Sequence, residues 1–242
     1  MKIHTIRPNQ AWSGESIGIL VLDEAIPRVP GSVGNAKTFS FPVRYKKILG
    51  TTVERLLGKH DTSMASLFVE AARDLQAEGV GAITGSCGFM ALFQQEVAEA
   101  LEIPVFLSSL LQIPLMTRIL GPHKKIGVIT ANASSLTPDV LEKVGVTDIM
   151  PLIIRGLEKY PEAFSSLIEE KGSLDEDKMR EEVLDVVRAM MKEHPEIGGF
   201  LLECSELPPY SKAVQDATGL PVFDFVTLIY YIYTTLSAQA FA

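Results

Sequence analysis

The chain reads as an α/β protein of two pseudo-symmetric, flavodoxin-like lobes, each a mainly parallel sheet flanked by helices, with a cleft between them. Three observations predict this. Short apolar runs alternate with amphipathic stretches along the whole chain, as when parallel strands are joined by crossover helices. The order strand, cysteine, helix, strand occurs twice at one offset: Cys87 and Cys204 stand 117 positions apart, and so do Pro104 and Pro221. The text agrees around them, "VGAITGSC" (80–87) lying over "IGGFLLEC" (197–204) and "IPVF" (103–106) over "LPVF" (220–223).

The elements follow in order. "IGILVL" (17–22) is a continuous apolar run suited to the interior of a parallel sheet. A Gly/Pro-rich loop (23–42) separates it from "VRYKKILG" (43–50), whose alternation suits a sheet edge. Residues 61–79 have helical spacing, with Asp61 or Thr62 to cap the start and Gly79 to end it. Strand 80–86, helix 88–101, strand 103–108 and helix 110–120 complete the first lobe. A boundary near Gly121–Lys124 divides the chain into lobes 1–121 and 122–242.

The second lobe opens with "KKIGVITANAS" (124–134), whose "IGVITA" matches "IGILVL" at a shift of 109. Helix 135–145, strand 148–154, a polar excursion over 155–174 and an amphipathic helix over 175–193 follow. Strand 197–205, helix 208–218, strand 220–225 and a closing helix 228–241 end it, the last free to pack back on the first lobe.

Composition narrows the function classes. A chain of 242 residues, 47% hydrophobic and 21% charged, has the make-up of a globular protein with a substantial core. The net charge of −8 is spread along the chain and no basic run exists, which argues against nucleic acid as a partner. "MKIHTIRPNQ" lacks the apolar stretch of a secretory leader. No apolar run reaches the roughly 18–20 residues that span a bilayer. "FVTLIYYIYTTLSAQAFA" comes closest, but Thr, Ser and Gln interrupt it and no basic residues flank it. Two cysteines without a leader point to the reducing cytoplasm and against a structural disulfide.

The two cysteines are the principal functional candidates. Ligands of open parallel sheets bind beyond the carboxyl ends of the strands, where both thiols stand, each just before a helix. Amide N–H groups and the helix dipole there favour a thiolate. Small neighbours, Ser86 and Gly88, let backbone amides approach a ligand. Two thiols on opposite walls suit proton transfer, one taking a proton from carbon and the other delivering one. The bland alternative is a pair of inert buried thiols, and their matched positions in the repeat weigh against it. There is no C-x-x-C, and His4, His60, His123 and His194 are not spaced as ligands beside either cysteine, so no metal is expected. No phosphate-binding glycine motif follows any strand.

Other candidates carry plain structural alternatives. Glu206 is either a first-turn carboxylate of helix 208–218 or a catalytic residue, as a contact for a substrate cation or an auxiliary base. Glu203 and Glu206 flank Cys204 and would raise its pKa, whereas nothing acidic lies beside Cys87 in sequence, so Cys87 is expected to be the resting thiolate. Asn35, Lys37 and Thr38 lie on the long loop where a cleft lid would be, and Arg28 on the same loop is either solvated or paired with a carboxylate. Thr130, Asn132, Ser134 and Ser135 offer neutral donors at the tip of the second lobe's first strand, or cap the next helix. Ser205 follows the second cysteine, and Ser108, Ser109 and Asp224 end matching strands.

The segments "TGSCGFM" and "LECSELPPY", in a chain of this length, resemble the aspartate/glutamate racemase superfamily. It includes amino-acid and hydantoin racemases, maleate isomerase, arylmalonate decarboxylase and a branch of algal dimethylsulfoniopropionate lyases. The resemblance implies a two-lobed fold, no cofactor and proton chemistry beside a carboxylate, with Cys87 and Cys204 as the acid/base thiols. The followers here are Gly88-Phe89 and Ser205-Glu206, where amino-acid racemases have Asn-Thr and Thr-His. Asp23-Glu24 stands where those enzymes have Asp-Ser-Gly. The expected activity is a cofactor-independent racemase or isomerase acting on a small amino or carboxylic acid, and the expected assembly is a homo-oligomer. A lyase on the same scaffold is the alternative, in which Glu206 holds a cationic leaving group. A non-catalytic two-lobed binding protein is the third reading.

Overall fold

In a computed structural model, which describes residues 3, 5, 6, 8 and 10–238, the apolar runs form two four-stranded parallel sheets. The first contains β1 (Ile17–Leu22), β2 (Val43–Ile48), β3 (Ala82–Gly85) and β4 (Val105–Phe106) in the order β2-β1-β3-β4. The second, from β5 (Lys125–Thr130), β6 (Leu152–Gly156), β7 (Ile197–Leu202) and β8 (Val222–Phe223), repeats that order as β6-β5-β7-β8. The repeat seen in the sequence is therefore a repeat of topology. β3 and β7 are buried at every position, which is why they read as unbroken apolar runs. β2 lies at an edge, and its exposed side ties down to the first helix through Arg44–Glu78 (2.7 Å) and Lys46–Asp74 (2.9 Å).

The helices are α1 (Ala65–Glu78), α2 (Gln94–Ala100), α3 (Ile113–Ile119), α4 (Pro138–Glu142), α5 (Pro161–Ala163), α6 (Glu176–Glu193), α7 (Ser211–Thr218) and α8 (Phe225–Leu236). Gly79 and Gly219 end α1 and α7 in the left-handed conformation, at φ of 101° and 67°. Four helices expected at 88, 110, 135 and 208 begin instead as 3-10 turns, Gly88–Phe93, Ser109–Gln112, Ala133–Ser135 and Pro208–Tyr210. The first three of these turns begin within three residues of a strand end, and the tighter winding suits a first turn that has no preceding helix. The strand expected at 148–154 is displaced to Leu152–Gly156, because a turn closed by Met150 N–H to Thr147 O (2.9 Å) occupies its first residues. Two π-helical turns, Glu54–Gly58 and Phe164–Ile168, fall in stretches read as connections. The closing helix starts early, at Phe225, because Asp224 and Thr227 form a reciprocal cap. The end of that expected helix, 239–241, and His4 lie outside the described residues.

Packing exchanges helices between the two halves. α3 follows the first sheet in sequence, yet Met116 shares a core with Ile126, Val128 and Leu201 of the second. α8 follows the second sheet, yet Phe225, Leu228 and Ile229 pack with Ile17, Ile19 and Phe106 of the first. The glycines beneath show the fit: a β-carbon on Gly199 would meet Leu120 at 3.2 Å, and one on Gly81 would meet Leu236 at 3.2 Å. Gln112 Nε2 donates to Asp224 O (2.9 Å), joining the two crossing points. Phe225→Ala should cost about 3–5 kcal/mol of stability, the usual range for deleting a buried ring, measured by urea unfolding. A loss under about 1 kcal/mol would show that α8 rests on the first sheet without holding it.

Candidate active site

The site is one construction made twice. β3 ends at Gly85, and Cys87 in extended backbone leads into a 3-10 turn with the Phe89 N–H directed at its sulfur. β7 ends at Leu202, and Cys204 leads into the next turn with the Glu206 N–H directed at its sulfur. The two tips meet: Ser205 Oγ donates to Ser86 O, and Ser109 Oγ donates to Glu203 O (3.0 Å). Both thiols line a single narrow cavity of about 30 Å³. Ile26, Val53, Leu57 and Leu167 form its apolar wall, the last two carried on the twin π-helical turns.

The polar wall is acidic. Glu24, Glu203 and Glu206 face the cavity with one cation, Arg28. The guanidinium pairs with Glu24 through one nitrogen and Glu206 through another, and its side chain is 17% exposed. Burial pushes Glu24 up to about 7, with Arg28 opposing the rise, and pushes Glu203 up to about 7 as well. Glu206 is also raised by burial, against the pull of Arg28 and the Ser205 hydroxyl. Glu203 Oε1, Glu206 Oε2 and the Ser86 hydroxyl are buried without a hydrogen-bond partner. These three atoms are free to take a hydrogen bond from a ligand or water in the cavity.

Both thiols are pushed well above the ordinary cysteine range, first by burial and then by the glutamates. Glu203 is the leading charged neighbour of each, and Glu24 acts on both. The expectation that only Cys204 meets negative charge is therefore corrected. Glu203 belongs to Cys204 in sequence but also acts on Cys87, so the asymmetry read from neighbours narrows to Glu206, which acts on Cys204 alone.

Of the expected site residues, the fold brings Cys87, Cys204, Glu206, Ser86, Gly88 and Ser205 to the cavity. It does not bring Asn35, Thr38, Asn132, Ser134 or Thr130 to its lining. Asn35 accepts from Lys37 N (2.9 Å) and donates to Arg28 O (2.7 Å). Thr38 accepts from Gly31 N (2.9 Å) and donates to Ser32 O (2.7 Å). These two brace the loop that carries Arg28. Asn132 caps Ser134 N (3.0 Å) and accepts from the Ser134 hydroxyl (2.7 Å) at an exposed turn. Thr130 is buried and donates to Glu203 Oε2 (2.8 Å), supporting the site from behind. Glu206 does not serve as a first-turn carboxylate, since its side chain turns to Arg28 and the turn after it starts at Pro208. Arg28 and Glu24 are the residues that sequence reasoning underrated. The loop doubles back over the cleft, pinned by Val33 N–H to Ser205 O (3.1 Å), and nothing local in sequence signals that path.

Among the described residues, no three His, Cys, Asp or Glu side chains cluster as metal ligands, and no helix is long and apolar enough to cross a membrane. The acidic wall suits a ligand that bears positive charge.

No family model matches the chain. Its fold is that of unliganded arylmalonate decarboxylase, at 17% identity and a TM-score of 0.58 over 94% of each chain. It is also that of Picrophilus torridus aspartate racemase, at 12% identity and a TM-score of 0.57 over 94% of this chain and 96% of that one. The sequence is 34% identical to a dimethylsulfoniopropionate lyase of Durusdinium sp. clade D over 217 residues, 87% of this chain and 71% of that protein. It is 33% identical to dimethylsulfoniopropionate lyase 7 of Emiliania huxleyi (strain CCMP1516) over 221 residues, 88% of this chain but 64% of the longer relative. With its fold shared by the aspartate/glutamate racemase superfamily and a third of its residues shared with these lyases, the chain belongs to the dimethylsulfoniopropionate lyase family.

Proposed function

We propose that the protein is a lyase that eliminates a cationic leaving group from the β-carbon of a small carboxylate, with dimethylsulfoniopropionate as the substrate. The observation that carries this is the composition of the cavity wall: two thiols, three buried carboxyl groups and a single arginine already paired twice. A sulfonium centre compensates that charge. Glu206, with its free Oε2, and Glu24 receive it on one side. The unpartnered Ser86 hydroxyl and the backbone at Gly88 hold the substrate carboxylate on the other.

A thiolate removes the α-proton. The C–H electron pair becomes the new carbon–carbon double bond, and the pair of the breaking carbon–sulfur bond leaves on sulfur as neutral dimethyl sulfide. Acrylate is the other product. The amide N–H beside each sulfur stabilises the thiolate form. The substrate cation adds to this by offsetting the glutamates that otherwise hold the thiols protonated. The fuller relatives named above support this reading, and the carboxyl-rich wall supplies a place for the leaving group.

Isomerase chemistry is the second reading, favoured by the near-identical construction of the two thiol sites. It would exchange an α-proton with solvent and release nothing. Headspace assay of dimethyl sulfide, beside NMR of solvent-deuterium exchange in small carboxylic and amino acids, separates the two. Deuterium exchange without sulfide release would select the isomerase.

Cys87→Ser and Cys204→Ser should each lower sulfide release by at least ~10²-fold, the loss typical of an acid/base group, with the circular dichroism spectrum unchanged. Near-normal turnover in either variant would remove that thiol from the mechanism.

Glu206→Gln should lower sulfide release as far as loss of a cysteine does. Retained activity would leave Glu206 with the sole task of pairing Arg28.

A further inference from the structure

Glu203 is 1% exposed, lines the cavity with both thiols and is tied to both thiol segments by two different routes. Its backbone precedes Cys204 directly, with its N–H on Ile129 O (2.8 Å) and its carbonyl accepting from Ser109 Oγ. Its carboxyl crosses to the other lobe and rests on the residue after Cys87: a β-carbon on Gly88 would fall 1.7 Å from Oε1. That glycine is what admits the carboxyl to this place. Thr130 Oγ1 holds Oε2 at 2.8 Å, while Oε1 is buried without a partner on the cavity side. The charged and titratable groups that share the cavity with it are Cys87, Cys204, Glu24, Glu206 and Arg28.

Elimination has a requirement that racemisation lacks. A racemase returns the proton it takes, but each elimination leaves one surplus proton on the enzyme. Resting on the lyase reading, we propose that Glu203 is the acid–base partner of the thiols, which accepts a thiol proton when substrate binds and discharges the surplus proton after each turnover. In the first step the S–H bond breaks and an O–H bond forms on Oε1, so one negative charge moves from carboxylate to sulfur. In the second the thiolate pair takes the α-proton, the C–H pair forms the double bond and the carbon–sulfur pair leaves with dimethyl sulfide. Thiol and carboxylic acid now both carry protons, one more than at the start. As the products leave, the O–H bond of Glu203 breaks to water and the carboxylate is restored. Burial raises this carboxyl to about 7 against the pull of Thr130, so it gives a proton back to water readily and takes one from a thiol once the substrate cation has favoured the thiolate.

The test compares wild type, Glu203→Gln and Thr130→Val by sulfide release as a function of pH. It also follows iodoacetamide labelling of Cys87 by peptide mapping. In wild type, kcat/KM should rise with pH through a midpoint near 7, since the acceptor must be ionised. Thr130→Val removes a hydrogen bond that favours the carboxylate, so the midpoint should move to higher pH. Because Thr130 donates to Glu203 Oε2 and not to Glu24, that shift distinguishes Glu203 from Glu24, which titrates in the same range. Glu203→Gln should lower kcat by at least ~10²-fold, while the pH midpoint of Cys87 labelling falls because a negative neighbour is gone. An unmoved midpoint in Thr130→Val, or full turnover in Glu203→Gln, would overturn the proposal. Should Glu203→Gln fail to fold, Thr130→Val decides alone. Should wild type release no sulfide, the lyase reading fails, and an unchanged labelling midpoint in Glu203→Gln would then overturn the shared-proton role independently.

Discussion

The arrangement of the site depends on one buried ion triad, Glu24–Arg28–Glu206. Removing an arginine and two carboxylates from water costs several kcal/mol per ion, and mutual attraction offsets it only when the geometry is held firmly. The holding is visible. Asn35 and Thr38 lock the loop around Arg28, and Val33 stitches that loop to Ser205 in the other half. The triad therefore fixes the roof of the cleft as well as its charge. With the single cation committed to two partners, the third carboxyl, Glu203, has only a threonine hydroxyl for company, and the thiols are left in an acidic, poorly hydrated pocket. On the lyase reading proposed above, a cationic substrate completes what the protein leaves unbalanced.

How much of this could be read from sequence follows the range of the forces involved. Parallel strands buried on both faces leave an unbroken apolar signature, so the two sheets and their repeat were legible, and with them the placement of Cys87 and Cys204 at matching strand ends. The same signature hides the direction of Glu203. β7 has no solvent face to contrast with, so alternation says nothing about where the next side chain points. Asn132 and Ser134 have the composition of a strand-end binding site, yet the same groups satisfy a local cap, and the local bond prevailed. Arg28 was illegible for a different reason. Its partner Glu206 is 178 positions away, and only the tertiary path of the loop makes them neighbours.

The kinship has two levels. At 12–17% identity, the decarboxylase and racemase share the scaffold and nothing finer. One fold hosts many chemistries when the strand-end tips stay fixed and the wall around them changes. Here the tips retain a thiol each, while the loop after β1 and the turn after β7 supply the acidic wall. On the lyase reading proposed above, the distinction between proton return and proton loss lies in the residues around the thiols.

The exchange of α3 and α8 has a mechanical consequence. Each half of the sequence lends its last helix to the other half's sheet, so the halves are interlocked like clasped hands. Folding one half in isolation would strip a sheet of its cover, and swinging one sheet away from the other would drag a core helix with it. Hinge opening of the whole molecule is therefore a poor route to a cavity of about 30 Å³. The two π-helical turns bearing Leu57 and Leu167 line the cavity without being part of that exchange. Among the described residues, the non-glycine positions with positive φ are His60 and Glu170, each two places beyond one of these turns. The left-handed backbone at those two points is a cost that the surrounding packing holds in place, and it falls at the matching position in each half.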